Sequence, residues 1–168
     1  GFERDYSHRA QTHTHVDHTA DLKKSKRGQD MVMTTATKEL LILDGHDDFS
    51  TPRNNLFALN YHEPFPFEGG EIKLIPSGHV LGAAQVEVTC HELGLKLGYS
   101  GDFAWPLNET VQVDYLVLDS MNGNFRFRRN YNQEYVEERF RELFANKIRE
   151  GPVTIKARRG TLERACSL

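Results

Sequence analysis

The chain has 168 residues, 38% of them apolar and 27% charged, with a formal net charge of -3. That length supports one domain with a hydrophobic core, and the charge balance excludes a general attraction to nucleic acid, leaving only local basic patches for that purpose. No apolar run reaches the ~20 residues of a membrane-spanning helix, the charged start Gly1-Phe2-Glu3-Arg4-Asp5 lacks the apolar core of a secretion signal, and two unpatterned cysteines, Cys90 and Cys166, argue against a disulfide framework and for a reducing, cytoplasmic setting.

Residues 1–11 are polar, and Ser7-His8-Arg9-Ala10-Gln11 makes a poor core strand, so this end is expected to be trimmed or to lie at an edge. The next stretch, Thr12-His13-Thr14-His15-Val16-Asp17-His18, gathers three imidazoles and a carboxylate. His13 and His15 are two apart and point to one side of an extended segment. Asp17 and His18 follow where the chain must turn, and approach from another direction. Imidazole and carboxylate are the ligands zinc takes when one position stays open for water. A polar surface loop is the competing reading, but the alternation His-x-His-x-Asp-His favours a metal.

Thr19 to Lys26 is predicted to form a short helix ending in Lys23-Lys24-Ser25-Lys26-Arg27, basic charges that suit a solvated helix C-terminus. Met31 to Thr35 reads as a short buried strand, and Thr37 as the cap of a helix through Leu40, Leu41 and Leu43. Asp44-Gly45-His46-Asp47-Asp48 reads as a solvated turn. Residues 50–70, with Pro52, Pro64, Pro66, Gly69 and Gly70, read mostly as loop. Ile72 to Pro76 alternates as a strand and delivers Ser77-Gly78-His79. Gln85 to Cys90 and Leu95 to Tyr99 form a hairpin about His91-Glu92-Leu93-Gly94, ending at Ser100-Gly101-Asp102. Tyr115 to Leu118 is a continuous apolar strand that ends at Asp119. From Tyr131 to Arg149 the apolar residues Tyr135, Val136, Phe140, Leu143, Phe144 and Ile148 have helical spacing, with Asn130 or Asn132 as cap and Gly151-Pro152 as stop. Val153 to Lys156 is predicted to begin a strand, and Gly160 to Leu168 a helix. Strands and helices alternate around a β-rich centre, which predicts an α/β (α+β) fold of sheets covered by helices on their outer faces.

His79, Asp102 and Asp119 share one kind of position, the end of an apolar strand, where a rigid sheet can aim side chains at a common site. Singly, His79 reads as a histidine in a glycine-rich turn and Asp102 as a turn aspartate. Together with the first motif they supply the further ligands of a two-metal site.

These residues carry a resemblance. His13-Thr14-His15-Val16-Asp17-His18, then Ser77-Gly78-His79-Val80-Leu81-Gly82-Ala83-Ala84, then Tyr99-Ser100-Gly101-Asp102-Phe103 resemble the ordered motifs of the metallo-β-lactamase superfamily. The second and third are similar in particular to its nucleic-acid-processing branch, which includes the β-CASP nucleases, the mRNA 3′-end cleavage factors and archaeal exonuclease relatives. Asp119 resembles the acidic residue that opens the β-CASP signature, and residues 151–155 and 160–165 weakly resemble the strand and helix that come after that residue. The resemblance implies an αββα sandwich, expected here as a single incomplete domain over residues 1–168, truncated at both ends, with about 120–168 beginning a β-CASP-like or second-half segment. It implies two zinc ions: His13, His15 and His79 on one, Asp17 and His18 on the other, and Asp102 between them. The implied reaction is hydrolysis of RNA or DNA by water activated between the metals, with Asp17 orienting that water or taking its proton. Relatives also use a histidine near their C-terminal end; this sequence has none after His91, so the second zinc position is expected to be incomplete.

Asn122 to Tyr131 interleaves Arg126, Arg128 and Arg129 with aromatics, which suits phosphate pairing and base stacking; a solvated loop with Phe125 and Phe127 docked on the core is the alternative. The expected partner is nucleic acid, not a membrane, and homo-oligomerisation is left open. Two other readings compete: a thioester or lactone hydrolase on the same scaffold, and a catalytically incomplete nucleic-acid-binding module.

Overall fold

A computed structural model describes residues 6–20, 22, 28–45, 55–121, 123–124, 126 and 130–168. In chain order the elements are β1 (His8–Gln11), α1 (Val16–Thr19), β2 (Asp30–Thr34), α2 (Thr35–Leu43), β3 (Leu56–Leu59), β4 (Phe65–Phe67), β5 (Gly70–Pro76), β6 (Ala84–Cys90), β7 (Leu95–Tyr99), β8 (Tyr115–Val117), α3 (Gln133–Lys147) and α4 (Thr161–Cys166). Two sheets result. A three-stranded parallel sheet has the order β1-β2-β3, and a five-stranded sheet has the order β4-β5-β6-β7-β8. The second sheet is antiparallel except for its last pair, β7 with β8.

β2 is the hinge of the packing. Its run Met31-Val32-Met33 is apolar on both faces because the strand is covered on both. Val32 packs with Leu59 of β3 and with Phe65, Ile72, Leu74, Ala84 and Val86 of the other sheet, forming the core between the sheets. Met31 and Met33 point the opposite way, onto Leu41 of α2 and Leu22. The layers are therefore helix, three-stranded sheet and five-stranded sheet. The outer face of the five-stranded sheet is polar, with Lys73 paired to Glu71 at 2.6 Å and Lys96 to Glu87 at 3.1 Å. The chain after Asp102 folds back across it: the Gln85 amide donates to Glu109 O at 2.9 Å and accepts from Val111 N–H at 3.4 Å.

Several local expectations change. The polar lead-in lies at an edge, one of its two expected positions, and forms strand β1 there. A single helical turn, Val16–Thr19, precedes the helix expected from Thr19 to Lys26, most of which, with the basic run Lys23 to Arg27, lies outside the described residues, as do His46-Asp47-Asp48. The cap of α2 is Thr34, whose Oγ1 accepts from Thr37 N–H at 3.1 Å; the threonine expected to cap the helix sits inside its first turn. Within the stretch 50–70, read mostly as loop, the described part also contains the short strands β3 and β4. Val153 to Lys156 forms no strand. α3 starts at its expected cap, Asn132, whose side chain accepts from Tyr135 N–H, yet none of its residues is buried. Polar contacts tie it down, from Gln133 to Trp105 O and from Glu137 to Arg164. β8 likewise forms at the edge with all three residues exposed.

Candidate metal centre

The first loop leaves β1 and is held shut by one side chain. The Gln11 amide donates to His13 O at 2.6 Å and to His18 O at 3.2 Å. His15 sits at the N-terminal cap position of α1, and its carbonyl accepts from His18 N–H at 2.9 Å, so His18 is folded back beside His13 and His15. The loop is sewn to the other sheet by Ala84 N–H donating to Thr12 O at 3.0 Å.

His79 follows β5 in a turn that only glycine accommodates. Gly82 has φ +78°, and a Cβ there would lie 2.7 Å from Thr37 N and 2.9 Å from Thr34 Oγ1. Its carbonyl in turn accepts from the hydroxyls of Thr34 at 2.8 Å and Thr37 at 3.0 Å. The turn is thus pressed onto the N-terminus of α2, and Tyr61 O–H fixes the next carbonyl, Ala83 O, at 3.0 Å. Asp102 follows β7. Gly101, at φ +53°, has no room for a Cβ, which would meet Ala84 O at 2.9 Å.

These three turns bring His13, His15, His79 and Asp102 together: one ligand atom from each lies within 4.8 Å of all the others. The three imidazoles stand 4.8–5.0 Å apart between centroids and near-perpendicular to one another, at 79–90°. Asp102 Oδ2 is 3.6 Å from His13 Nε2 and 3.5 Å from His79 Nε2, and His79 Nε2 is 3.2 Å from His15 Nδ1. A tetrahedral zinc with bonds of about 2.0–2.1 Å has ligand-to-ligand edges of roughly 3.3–3.4 Å. These three separations bracket that value, within a group whose ligand atoms lie up to 4.8 Å apart. The other carboxylate oxygen, Asp102 Oδ1, turns to His18 Nε2 at 3.2 Å, and His18 Nε2 is 3.6 Å from Asp17 Oδ2. Asp102 therefore faces two groups of side chains, one with each oxygen.

The polar atoms of the site fit a cation. His13 is fully buried, and its Nε2 has no hydrogen-bond partner. A buried polar atom left unsatisfied costs about 1–3 kcal/mol, and a bound metal removes that cost. Thr14 Oγ1, His15 Nε2 and Ser77 Oγ are also buried without partners, and all belong to the same two loops. Thr12 Oγ1 lies 3.1 Å from His13 Nδ1; a proton on Nδ1 given to that hydroxyl leaves the Nε2 lone pair free to coordinate. Burial, reinforced by the imidazoles of His18, His79 and His15, pushes the His13 pKa down to about 3. Burial lowers those of His15 and His79 as well. Neutral imidazole is the form that binds metal. Asp17 is exposed, and its own backbone N–H holds its carboxyl below the usual range, so it stays ionised.

Asp119 and Arg126 are not members of this four-residue group. Asp119 donates its backbone N–H to Ser100 Oγ at 2.8 Å and accepts on Oδ1 from Met121 N–H at 3.1 Å. Arg126 is exposed, and its backbone N–H donates to Asn124 Oδ1 at 3.0 Å. Arg128 and Arg129 lie outside the described residues. Sequence reasoning missed Gln11, Thr12, Thr34 and Tyr61, which shape the loops. Thr34 and Thr37, three apart ahead of an apolar run, carried a capping signal; Gln11 carried none.

No protein-family model matches the chain. It is 34% identical over 113 residues to a protein of Acidianus ambivalens described as an uncharacterized protein in the lig 3′ region, an alignment covering 66% of this chain and 79% of that one. Among solved structures, it is similar to a HARLDQ-motif mutant of the metallo-β-lactamase of Cronobacter sakazakii, with TM-score 0.51 and 20% identity over 68% of this chain. It is also similar to a protein of unknown function from Enterococcus faecalis V583, with TM-score 0.50 and 19% identity over 61% of this chain. The alignments span 57% of the first structure's chain and 26% of the second's. At these identities the likeness concerns the fold, which is the metallo-β-lactamase fold.

Proposed function

Since the chain belongs to the family of the Acidianus ambivalens protein and has the metallo-β-lactamase fold, we propose that it acts as a zinc-dependent phosphodiesterase on RNA or DNA. One observation carries the metal-dependent part of this reading: Asp102 presents Oδ2 to His13 and His79 and Oδ1 to His18. A carboxylate so placed can bridge two cations. His13, His15 and His79 would hold the first zinc, and His18 with Asp17 the second. Bound there, zinc would acidify water and polarise a phosphoryl oxygen.

The chain's own residues do the rest. His13 and His15 present unprotonated nitrogens because burial disfavours their charged forms. Asp17, ionised and exposed, would accept a proton from attacking water. The resemblance of the Gly78 to Ala84 segment to nucleic-acid-processing enzymes supports a phosphodiester substrate over a thioester or lactone. Arg126, Arg128, Arg129 and Asp119 are the proposed substrate-contacting group. Both described cysteines are free, consistent with a cytoplasmic protein. No helix among the described residues is long and apolar enough to cross a membrane.

The test measures metal content and hydrolysis together, with single-stranded RNA, single-stranded DNA and a generic thioester as parallel substrates. His15→Ala is expected to lose metal and hydrolysis together. Hydrolysis that persists in metal-free protein would refute the mechanism. Thioester cleavage without phosphodiester cleavage would move the chain to the other hydrolase class. A wild-type chain that binds no metal would make it a binding module.

A further inference from the structure

Arg164 of α4 lies 85 residues from His79 in sequence, yet its guanidinium grips the turn that carries that histidine. Its Nη1 donates to Gly78 O and, at 3.3 Å, to His79 O. Its Nε and Nη2 donate to Glu137 Oε1 of α3, at 2.8 and 2.5 Å. Glu137 also accepts from the Gln133 amide at 3.1 Å, and the Gln133 backbone N–H donates to Trp105 O at 3.1 Å. Trp105 lies just beyond Asp102, and its neighbour Ala104 donates to Ser77 O at 3.0 Å. A continuous path of polar contacts therefore links the segment after Asp102, α3, Arg164 and the backbone of His79.

We propose that Arg164, oriented by Glu137, is a positioning residue for the metal centre: it fixes the peptide units on either side of the His79 Cα so that the imidazole meets His13, His15 and Asp102. The inference rests on the metal-binding reading above. Several features make arginine suitable. The guanidinium is a rigid planar fork that can hold a carboxylate on one edge and carbonyl oxygens on another. Gly78, at φ +66°, leaves this turn with little conformational resistance of its own. Glu137 is only 16% exposed at its side chain and Arg164 25%, so water competes weakly for the pair. α4 makes a second tie that leaves the His79 carbonyl alone: Arg159 donates to Asp44 at 2.6 Å and to Glu163 at 3.1 Å. Arg159 can therefore report on helix docking without touching the turn.

The experiment titrates the metal-free full chain with cobalt(II), following affinity and the visible absorption of the bound ion, alongside the thermal midpoint of each metal-free variant. Removing groups that orient a ligand costs about 10–100-fold in metal affinity. Arg164→Gln is expected to lower cobalt affinity by about tenfold or more and to alter the absorption spectrum. Arg164→Lys should fall between Arg164→Gln and wild type, because one ammonium cannot serve both Glu137 and the two carbonyls. Glu137→Gln should weaken binding in the same direction by a smaller factor, and remains informative if Arg164→Gln fails to fold. Arg159→Gln should bind as wild type does. Wild-type affinity and spectrum in Arg164→Gln would overturn the proposal, as would an equal loss in Arg159→Gln, which would mean that α4 docking alone matters. A wild-type chain that takes up neither cobalt(II) nor zinc would refute the metal reading itself, an outcome distinct from either of these.

Discussion

His13 Nε2 is buried without a hydrogen-bond partner in a pocket of other imidazoles, and this sets how the protein responds to acid. Its pKa falls from 6.5 to about 3 on folding, first through burial and then through His18, His79 and His15. Between those two values the unfolded chain binds a proton that the folded chain refuses, so stability rises with pH across the interval. The contribution is fully present above about pH 6.5 and is lost as pH falls toward about 3. Burial tilts His15 and His79 the same way. The urea midpoint of the metal-free chain should therefore drop steadily from about pH 7 to about pH 4. His13→Gln should flatten the slope, and a wild-type profile as flat as the variant's would contradict the assignment. The candidates for the site could be read from sequence because short-range alternation, as in His13-x-His15, and glycine-flanked strand ends leave a local trace. The residues that orient them, Gln11, Tyr61 and Arg164, leave none: each acts through a backbone carbonyl that only the folded chain brings within reach.

At the scale of elements, the contact between the His79 turn and α2 governs the site. Thr34 caps the helix with the same hydroxyl that donates to Gly82 O, so the cap and the turn share one atom. Gly82→Ala would combine a positive φ with a Cβ closer than 3 Å to the Thr37 amide and to both threonine hydroxyls. Gly94→Ala has a similar φ, +61°, but open space around it. Backbone strain of this kind costs of order 1–3 kcal/mol. Both variants should lower the urea midpoint, with Gly82→Ala falling further and also weakening metal binding, since the turn must move and carry His79 with it. Equal losses in the two would show that the turn does not press on α2. The long elements of this region could be read from the sequence because β5, β6 and β7 alternate between a polar and an apolar face. The short ones could not. β1 is a polar edge strand, and β4 keeps Pro66 in an edge position that needs no amide donor on that side. β3 is four residues among prolines and is recognisable only by its parallel register with β2, Met31 opposite Leu56. Thr34 and Thr37 were equally good caps by spacing; both hydroxyls donate to Gly82 O, and Thr34 is the one that takes the Thr37 amide. Val153 to Ile155 has strand-forming side chains but no neighbouring strand among the described residues.

Across the whole molecule, the candidate ligands come from both sheets. His13 and His15 follow β1 of the three-stranded sheet, whereas His79 and Asp102 follow β5 and β7 of the five-stranded one. The two sheets otherwise meet through the apolar core around Val32, Leu74 and Val86. A cation held by all four residues is thus a cross-link between layers, and it binds only when the layers are correctly packed. Its binding free energy then adds to the free energy of folding, by about 2.7 kcal/mol at a free concentration one hundred times the dissociation constant. For a chain of this size each kcal/mol moves the thermal midpoint by roughly 2–4 °C, so saturating zinc should raise it by roughly 5–10 °C. Because the site spans the interface, the increment should vanish when a ligand is removed from either side. His15→Ala and His79→Ala should therefore melt at the same temperature with and without zinc. A site built on the first loop alone would behave differently: His79→Ala would keep most of the zinc-dependent rise while His15→Ala lost it, and that asymmetry would show that the metal does not join the two sheets.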